Sequence, residues 1–170
     1  MEIELKVPDV DLEGVEELLS RKGAAFLREV EQMDSYLQHP CRDFGSTDEA
    51  LRIREVDGET ILTYKGPKVD AETKSREERE VALPSREGME TILRSLGFAR
   101  VMEVRKTRRS YMLGEVEIAL DRVDGLGDFV ELEYKGGDPG PGRESILSLK
   151  DELGLRGNER RSYMELLMER

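Results

Sequence analysis

Apolar and polar residues alternate along several stretches of the chain. A period of two is typical of β-strands whose two faces meet different surroundings. The alternation predicts eight strands, at residues 2–7, 32–39, 51–56, 59–66, 77–83, 99–113, 115–123 and 129–136. Most of these stretches are joined by short turn sequences such as Asp57-Gly58, which favours an antiparallel sheet.

Four other stretches carry apolar residues three and four positions apart, as amphipathic helices do. Asp11 and Ser85 precede two of them and can cap a helix N-terminus, while Gly23 and Gly97 can end the same two helices. The predicted helices cover residues 12–22, 86–96, 145–153 and 159–170. The polar stretch 41–50 is predicted to be a loop or short turn, and the polar stretch 67–76 is predicted to be a loop.

The number of strands and helices together predicts the fold. Eight antiparallel strands can close into a barrel wide enough to hold a small ligand. Four amphipathic helices need an apolar surface to cover, and the outside of such a barrel offers one. We therefore expect an α+β fold, an eight-stranded antiparallel β-barrel (tunnel) with helices packed on its outer face, in which residues 1–170 form a single domain. The alternative is a sheet with one solvated polar face and no internal site.

Charge and hydropathy limit the partners that the chain can have. The 170 residues carry a formal net charge of −11, and an acidic protein repels nucleic acid, so no nucleic-acid partner is expected. The sequence contains no apolar run of about 18 residues, so no membrane span is expected. The first predicted strand begins at residue 2, which leaves no room for a signal peptide, and we expect a cytoplasmic protein.

Cysteine and histidine chemistry is limited by composition. Cys41 is the only cysteine and His39 is the only histidine. An internal disulfide, a cysteine zinc cluster and a histidine-based metal site are therefore excluded.

The polar faces of the predicted strands carry both acids and bases. If these faces line a tunnel, their burial costs free energy unless opposite charges, metals or a ligand compensate. Carboxylate oxygens are hard donors that suit Mg²⁺ or Mn²⁺, and Lys and Arg neutralise phosphate oxygens. The candidate acids are Glu2, Glu4, Asp121, Glu131 and Glu133. The candidate bases are Lys6, Arg52, Arg54, Lys65, Lys106 and Arg108. No GxxxxGK[ST] stretch is present, so phosphate binding would rest on side chains.

The motifs along the chain resemble those of one known family. Residues 2–6 read EIELK and fit the ExExK signature of the CYTH superfamily, the triphosphate tunnel metalloenzymes. The stretches QMDSY, LRIR, TYKGP, REERE, KTRRSY, ALD and LGDFVELE follow in order and span almost the whole chain. HPCRDFGSTDEALRIR and SYMELL are similar to the branch that includes the class IV adenylyl cyclases.

This resemblance implies a fold and a site. The family has an eight-stranded antiparallel tunnel that binds a triphosphate and uses a divalent metal, here Mg²⁺ or Mn²⁺. Glu2, Glu4 and Glu133 would resemble its catalytic metal ligands, with Glu131 and Asp121 as further acidic ligands. The family's triphosphate-binding cations would correspond to Lys6, Arg52, Arg54, Lys65, Lys106 and Arg108.

The resemblance also implies a reaction, an adenylyl-cyclase-like conversion of ATP to cyclic AMP and pyrophosphate. The partner is then a triphosphate-containing small molecule, ATP or a similar compound, and family analogy allows a homodimer. Two alternatives stay open. One is a triphosphatase that hydrolyses inorganic triphosphate, thiamine triphosphate or a nucleoside triphosphate. The other is a non-enzymatic module that binds nucleotide or polyphosphate.

Overall fold

The computed structural model describes residues 3–69, 76–138 and 140–170. In these ranges the strands are β1 (Glu4–Pro8), β2 (Ala25–Gln38), β3 (Ala50–Val56), β4 (Glu59–Lys65), β5 (Glu78–Leu83), β6 (Ala99–Leu113), β7 (Val116–Val123) and β8 (Gly127–Tyr134). The helices in the same ranges are α1 (Leu12–Arg21), α2 (Phe44–Thr47), α3 (Arg86–Ser95), α4 (Gly142–Glu152) and α5 (Tyr163–Met168). Glu2 and most of the predicted loop at 67–76 lie outside the described residues.

The eight strands form one antiparallel sheet in the order β1-β8-β7-β6-β2-β3-β4-β5. The predicted antiparallel fold with eight strands is thereby confirmed. Within the described ranges, no strand ladder joins the two edge strands, β1 and β5. Residues of both edges nevertheless line one cavity, Glu4 and Lys6 from β1 and Glu78 and Glu80 from β5. The sheet therefore curls into a tunnel without being closed by hydrogen bonds.

The long central pair, β2 with β6, staggers the two halves of the sheet. Strand β3 pairs with the C-terminal half of β2, from Gln32 to Leu37. Strand β7 pairs with the C-terminal half of β6, from Lys106 to Leu113. Because Gln32 and Lys106 are register partners, β3 and β7 lie beside opposite ends of the central pair.

The apolar strand faces point outward, toward the helices. One core joins residues of α1 and α4 with Leu5, Ile118 and Leu132 of the sheet. A second core places Leu93 of α3 with Ile53 of β3. Burial of these side chains stabilises the fold by about 1.5–3 kcal/mol each. The polar faces are left to line the interior, as the sequence predicts.

Most elements begin where the sequence places them, and Asp11 and Ser85 cap α1 and α3 through their side chains. Strand β2 begins at Ala25, seven residues before the predicted start at 32. The residues before Val30 are exposed and lack alternation, yet they pair with the end of β6. Tertiary pairing overrides the local pattern there.

Three helix predictions differ from the structure. Helix α4 begins at Gly142 rather than 145, and the short α2 lies in a stretch predicted as loop, capped by Asp43. Helix α5 is capped by Ser162 through a capping box with Glu165, not by Asn158. The segment before it is held along β1, where the Glu159 amide donates to the Lys6 carbonyl. In the described parts of the chain, no helix is both long and apolar enough to cross a membrane.

Candidate active site in a charged cavity

The inward faces of the curled sheet enclose a cavity of about 630 Å³. Strands point alternate side chains to opposite faces, so residues two positions apart share this interior. Ionic side chains dominate the lining, and segment 160–163 adds residues at one side. The predicted site residues that line it are Glu4, Lys6, Arg52, Arg54, Lys65, Lys106, Arg108, Glu131 and Glu133.

Two arginines of β3 are held by an acid of β2. Asp34 and Arg54 are register partners, and both Arg54 Nε and one terminal nitrogen donate to the carboxylate at 2.7 Å. Arg52 lies 3.9 Å from the same carboxylate and 3.8 Å from Glu80. Burial alone would raise the pKa of Asp34, but the charges of Arg54 and Arg52 hold that pKa well below its usual range. Asp34 is therefore ionised and fixes the direction of the Arg54 guanidinium.

A matching pair lies on the other half of the sheet. Asp121 and Arg108 are register partners of β7 and β6, joined by two hydrogen bonds of 2.6 Å. Arg108 also donates to Glu131, and Lys106 donates to Asp121 at 3.1 Å. Burial disfavours the charged carboxylate, but the charges of Arg108 and Lys106 lower the pKa of Asp121 below its ordinary value.

Asp121, predicted as a metal ligand, lies among cations behind the cavity lining. Its side chain is fully buried and does not line the cavity. Its two oxygens accept hydrogen bonds from Arg108, Lys106 and the Tyr163 hydroxyl. The carboxylate thus serves to orient the cations around it, and its lone pairs are already engaged.

Lys6 and Lys106 approach a common aromatic ring. The two ammonium nitrogens lie 4.1 Å and 4.8 Å from the centroid of the Tyr163 ring. Burial, followed by the charge of Arg108, lowers the pKa of Lys106 to about 8. Lys106 therefore changes its protonation state close to neutral pH.

Further cations lie toward the β4–β5 side of the cavity. Lys65 is 2.9 Å from Glu78. Lys68 and Arg76 both approach Asp48, at 2.6 Å and 3.8 Å, and both line the cavity. Each of these cations has an acidic neighbour that keeps it in place before any ligand arrives.

Carboxylates form a row across three strands. Glu4 of β1 is the register partner of Glu133 of β8, and Glu133 is the register partner of Glu117 of β7. All three line the cavity. Burial raises the pKa of Glu133, the charges of Glu4 and Glu117 raise it further, and Lys135 opposes them. Mutual repulsion among these acids is what a bound cation would relieve.

This row fits a hard divalent cation in its chemistry. Lys135 Nζ lies 2.7 Å from Glu133 and 3.6 Å from Glu117, so an ammonium group already stands in for a cation among these oxygens. Among the described residues, which do not include Glu2, no three Asp, Glu, His or Cys side chains converge on one point. A metal would therefore need these half-buried glutamates to rotate.

The structure brings together nine of the predicted residues, leaves Asp121 behind the cavity wall, and does not describe Glu2. It adds cavity residues that sequence reasoning left out of the site, namely Arg28, Asp34, Lys68, Arg76, Glu80, Glu117, Lys135, Arg160 and Tyr163. The strand alternation that selected Glu131 and Glu133 also marks Glu117 and Lys135. By contrast, the SYMELL stretch resembles the family but does not show that Tyr163 faces the cavity, because only the docking of α5 brings the ring there.

The chain is similar to proteins of one family throughout its length. The CYTH domain model matches residues 1–163. A Methanocaldococcus jannaschii protein named "Putative adenylate cyclase" is 40% identical over 98% of both chains. Adenylate cyclase CyaB of Aeromonas hydrophila is 27% identical over 98% of this chain and 87% of its own. A solved structure from Pyrococcus horikoshii is 42% identical, with a TM-score of 0.88 and 99% of each chain covered.

Proposed function

The chain belongs to the CYTH domain family, and on that premise we propose that it is a metal-dependent enzyme that acts on a triphosphate in its cavity. The observation that carries the proposal is the presence of both oriented cations and a row of acids in that cavity. Arginines held by Asp34 and Asp121 line it from both halves of the sheet, and a row of glutamates runs across β1, β8 and β7. In a triphosphate with bound divalent cations, the phosphate oxygens complement the arginines and the metal ions complement the glutamates.

The metal would be held by Glu4, Glu117 and Glu133, with Glu131 as a further oxygen donor; Mg²⁺ and Mn²⁺ suit these ligands. When bound, such an ion supplies charge neutralisation at phosphate oxygens and favours the deprotonated form of an attacking hydroxyl or water. Glu2 belongs to the same proposed set by its place in the ExExK motif. Asp121 is left out because its oxygens are engaged by cations.

The cations of this chain would hold the phosphates. Arg54 and Arg108 offer planar forks to phosphate oxygens, and each is already oriented by a buried aspartate, which reduces the conformational entropy lost on binding. Lys6, Lys106, Arg52 and Lys65 add charge along the same lining. Negative charge that develops on the departing phosphate group is stabilised by these side chains.

For the reaction we propose adenylyl-cyclase-like chemistry, in which the ribose 3′-hydroxyl of ATP attacks the α-phosphorus and pyrophosphate leaves. The names of the two relatives at 40% and 27% identity support this choice. Hydrolysis differs only in the attacking group and the phosphorus attacked, because water would attack the terminal phosphorus. Both reactions call on the same glutamates and the same cations.

A product assay tests the proposal. The purified chain is incubated with ATP and either Mg²⁺ or Mn²⁺, and the products are separated by ion-exchange chromatography. Cyclic AMP with an equal amount of pyrophosphate supports the cyclase, whereas ADP with orthophosphate supports a triphosphatase. The same assay with inorganic triphosphate and thiamine triphosphate defines the substrate of a hydrolase. A Glu4→Gln sample prepared in parallel excludes a contaminating phosphatase.

Binding without turnover would contradict the enzymatic proposal and favour a polyphosphate-binding module. Thermal or chemical denaturation separates this case from the absence of any site. A ligand at about 100 times its dissociation constant stabilises the folded state by about 2.7 kcal/mol. No stabilisation by ATP or inorganic triphosphate, with or without metal, would remove both functions.

A further inference from the structure

Tyr163 is the first residue of α5, and its position is fixed from several sides. The capping box of Ser162 and Glu165 sets the start of the helix. The Tyr163 hydroxyl donates to Asp121 at 2.8 Å. Its ring packs edge-on against Phe129, with centroids 5.0 Å apart. Only 5% of the residue is exposed, so the ring is a rigid part of the cavity wall.

This ring lies beside two ammonium groups that come from distant strands. Lys6 belongs to β1 and Lys106 to β6, and two strands separate these in the sheet. Their Nζ atoms lie 4.1 Å and 4.8 Å from the ring centroid. Lys6 also donates to the carbonyl of Arg161, and Lys106 donates to Asp121. The segment around Tyr163 is thus the element that the two lysines share.

An aromatic face attracts cations, most strongly where water is excluded. Lysine is a point charge on a flexible stem, and ordering it costs conformational entropy. If the ring already orders the two lysines in the folded protein, their conformational entropy is lost on folding rather than on ligand binding.

We propose that Tyr163 is a positioning residue whose ring holds the ammonium groups of Lys6 and Lys106 together in the cavity, so that both reach the same phosphate chain. The proposal rests on the proposed function, because that function makes the two lysines phosphate ligands. In this proposal the face of the Tyr163 ring, and not its hydroxyl group, positions the two lysines.

Three variants separate the ring from its surroundings. Tyr163→Phe keeps the ring and loses the hydrogen bond to Asp121. Tyr163→Leu removes the ring. If that variant does not fold, Tyr163→Met is used in its place. Phe129→Leu is the matched control, since Phe129 packs on Tyr163 in the same core cluster but lies in no ammonium–ring contact described for this chain. It should lower the melting temperature without removing the ring from the lysines.

The first measurement tests the geometry without any ligand. Protons near an aromatic face are shifted upfield, so NMR of lysine side chains labelled with ¹³C should show shielded Cε protons for Lys6 and Lys106. We expect the shielding to persist in Tyr163→Phe and Phe129→Leu and to vanish in Tyr163→Leu. Unshielded Lys6 and Lys106 protons in the unsubstituted protein would overturn the proposal without touching the proposed function.

The second measurement is calorimetric titration with inorganic triphosphate, with and without Mg²⁺. Tyr163→Leu should bind about tenfold more weakly, or worse, because two desolvated cation–ring contacts are lost. Tyr163→Phe and Phe129→Leu should stay within about threefold of the unsubstituted protein. Selective weakening of Tyr163→Leu supports the ring as the positioning group.

Two other results would overturn the inference alone. One is a Tyr163→Leu protein that binds inorganic triphosphate as tightly as the unsubstituted chain. The other is a Tyr163→Phe protein that binds inorganic triphosphate as weakly as Tyr163→Leu does. The loss of affinity would then come from the missing hydrogen bond between the hydroxyl group and Asp121. If the unsubstituted protein binds neither inorganic triphosphate nor ATP, with or without Mg²⁺, the inference and the proposed function both fail.

Discussion

Asp34 and Arg54 face each other directly across β2 and β3 and share two hydrogen bonds of 2.7 Å. The carboxylate is 2% exposed, and the guanidinium lines the cavity. A pair of this kind orients one fork of the arginine while its charge remains available to an incoming anion. Asp121 and Arg108 repeat the arrangement on β7 and β6.

The Asp34–Arg54 pair should contribute stability that depends on pH. The folded-state pKa of Asp34 is lowered from 3.8, so its contribution is fully present above about pH 5 and is lost as the pH falls from 4 toward the folded-state pKa. At pH 6, Asp34→Asn should lower the free energy of unfolding by about 3 kcal/mol. The deficit should shrink between pH 4 and pH 2. Urea unfolding at each pH measures it.

Asp151→Asn is the control for this experiment, since Asp151 lies exposed on α4. It should change the free energy of unfolding little at any of these pH values. A deficit in Asp34→Asn that stays constant down to pH 2 would contradict the ionised, paired state of Asp34.

Arg54 should bind phosphate directly. Arg54→Ala is expected to weaken the binding of inorganic triphosphate by about 1.5–3 kcal/mol, the value of a hydrogen bond to a charged group. Arg54→Lys keeps the positive charge but loses the planar guanidinium fork, so its affinity for triphosphate should lie between those of the unsubstituted protein and Arg54→Ala. Calorimetric titration measures all three. Arg79→Ala is the control, because Arg79 is exposed on β5 and paired with Glu77; equal losses in both alanine variants would place Arg54 outside the ligand's reach.

Glu4 should be needed for turnover more than for phosphate binding. Glu4→Gln removes a charge from the glutamate row but no cation, so metal-dependent turnover should fall by about 100-fold or more. Binding of inorganic triphosphate without metal should be retained or slightly strengthened, because repulsion is removed. Full activity in Glu4→Gln would exclude Glu4 from the site. Glu17→Gln, on the exposed face of α1, should behave as the unsubstituted protein does.

Lys106 should make triphosphate binding depend on pH near neutrality. Its pKa of about 8 means that the ammonium form, which attracts phosphate, is lost as the pH rises. Affinity should therefore fall by up to about tenfold between pH 7 and pH 9, the effect of one proton over that range. Lys106→Arg stays charged and serves as the comparison, because protonation of the ligand itself affects both proteins alike. Parallel pH dependence in the two proteins would rule out titration of Lys106.

Elements whose local pattern and tertiary role agree were predicted correctly. The hairpin of β3 and β4 around Asp57-Gly58 and the capped helices α1 and α3 lie close to their predicted bounds. Elements set by distant contacts were missed or misplaced. The first half of β2 forms because it pairs with the end of β6. Helix α5 begins later than predicted, because the Glu159 backbone is hydrogen-bonded to β1.

The site divides in the same way. Alternation and motif order selected nine side chains that do line the cavity, since a period of two fixes the face of a strand. The pattern could not distinguish Glu131, which lines the cavity, from Asp121, which lies behind it, since both sit on inward faces. Burial depth and hydrogen-bond partners separate them, and these depend on which strands lie opposite.

The order of residues in this chain was thus enough to determine which face of each strand is charged, that the sheet is antiparallel, and that helices must cover its outside. Those features follow from local periodicity and from the cost of exposing apolar side chains. Only the tertiary structure decided which charges meet. Cross-strand register paired Asp34 with Arg54 and Asp121 with Arg108, and the docking of α5 set the Tyr163 ring beside two lysines. Such contacts join residues far apart in the chain, and their distances are decided by how the whole sheet curls.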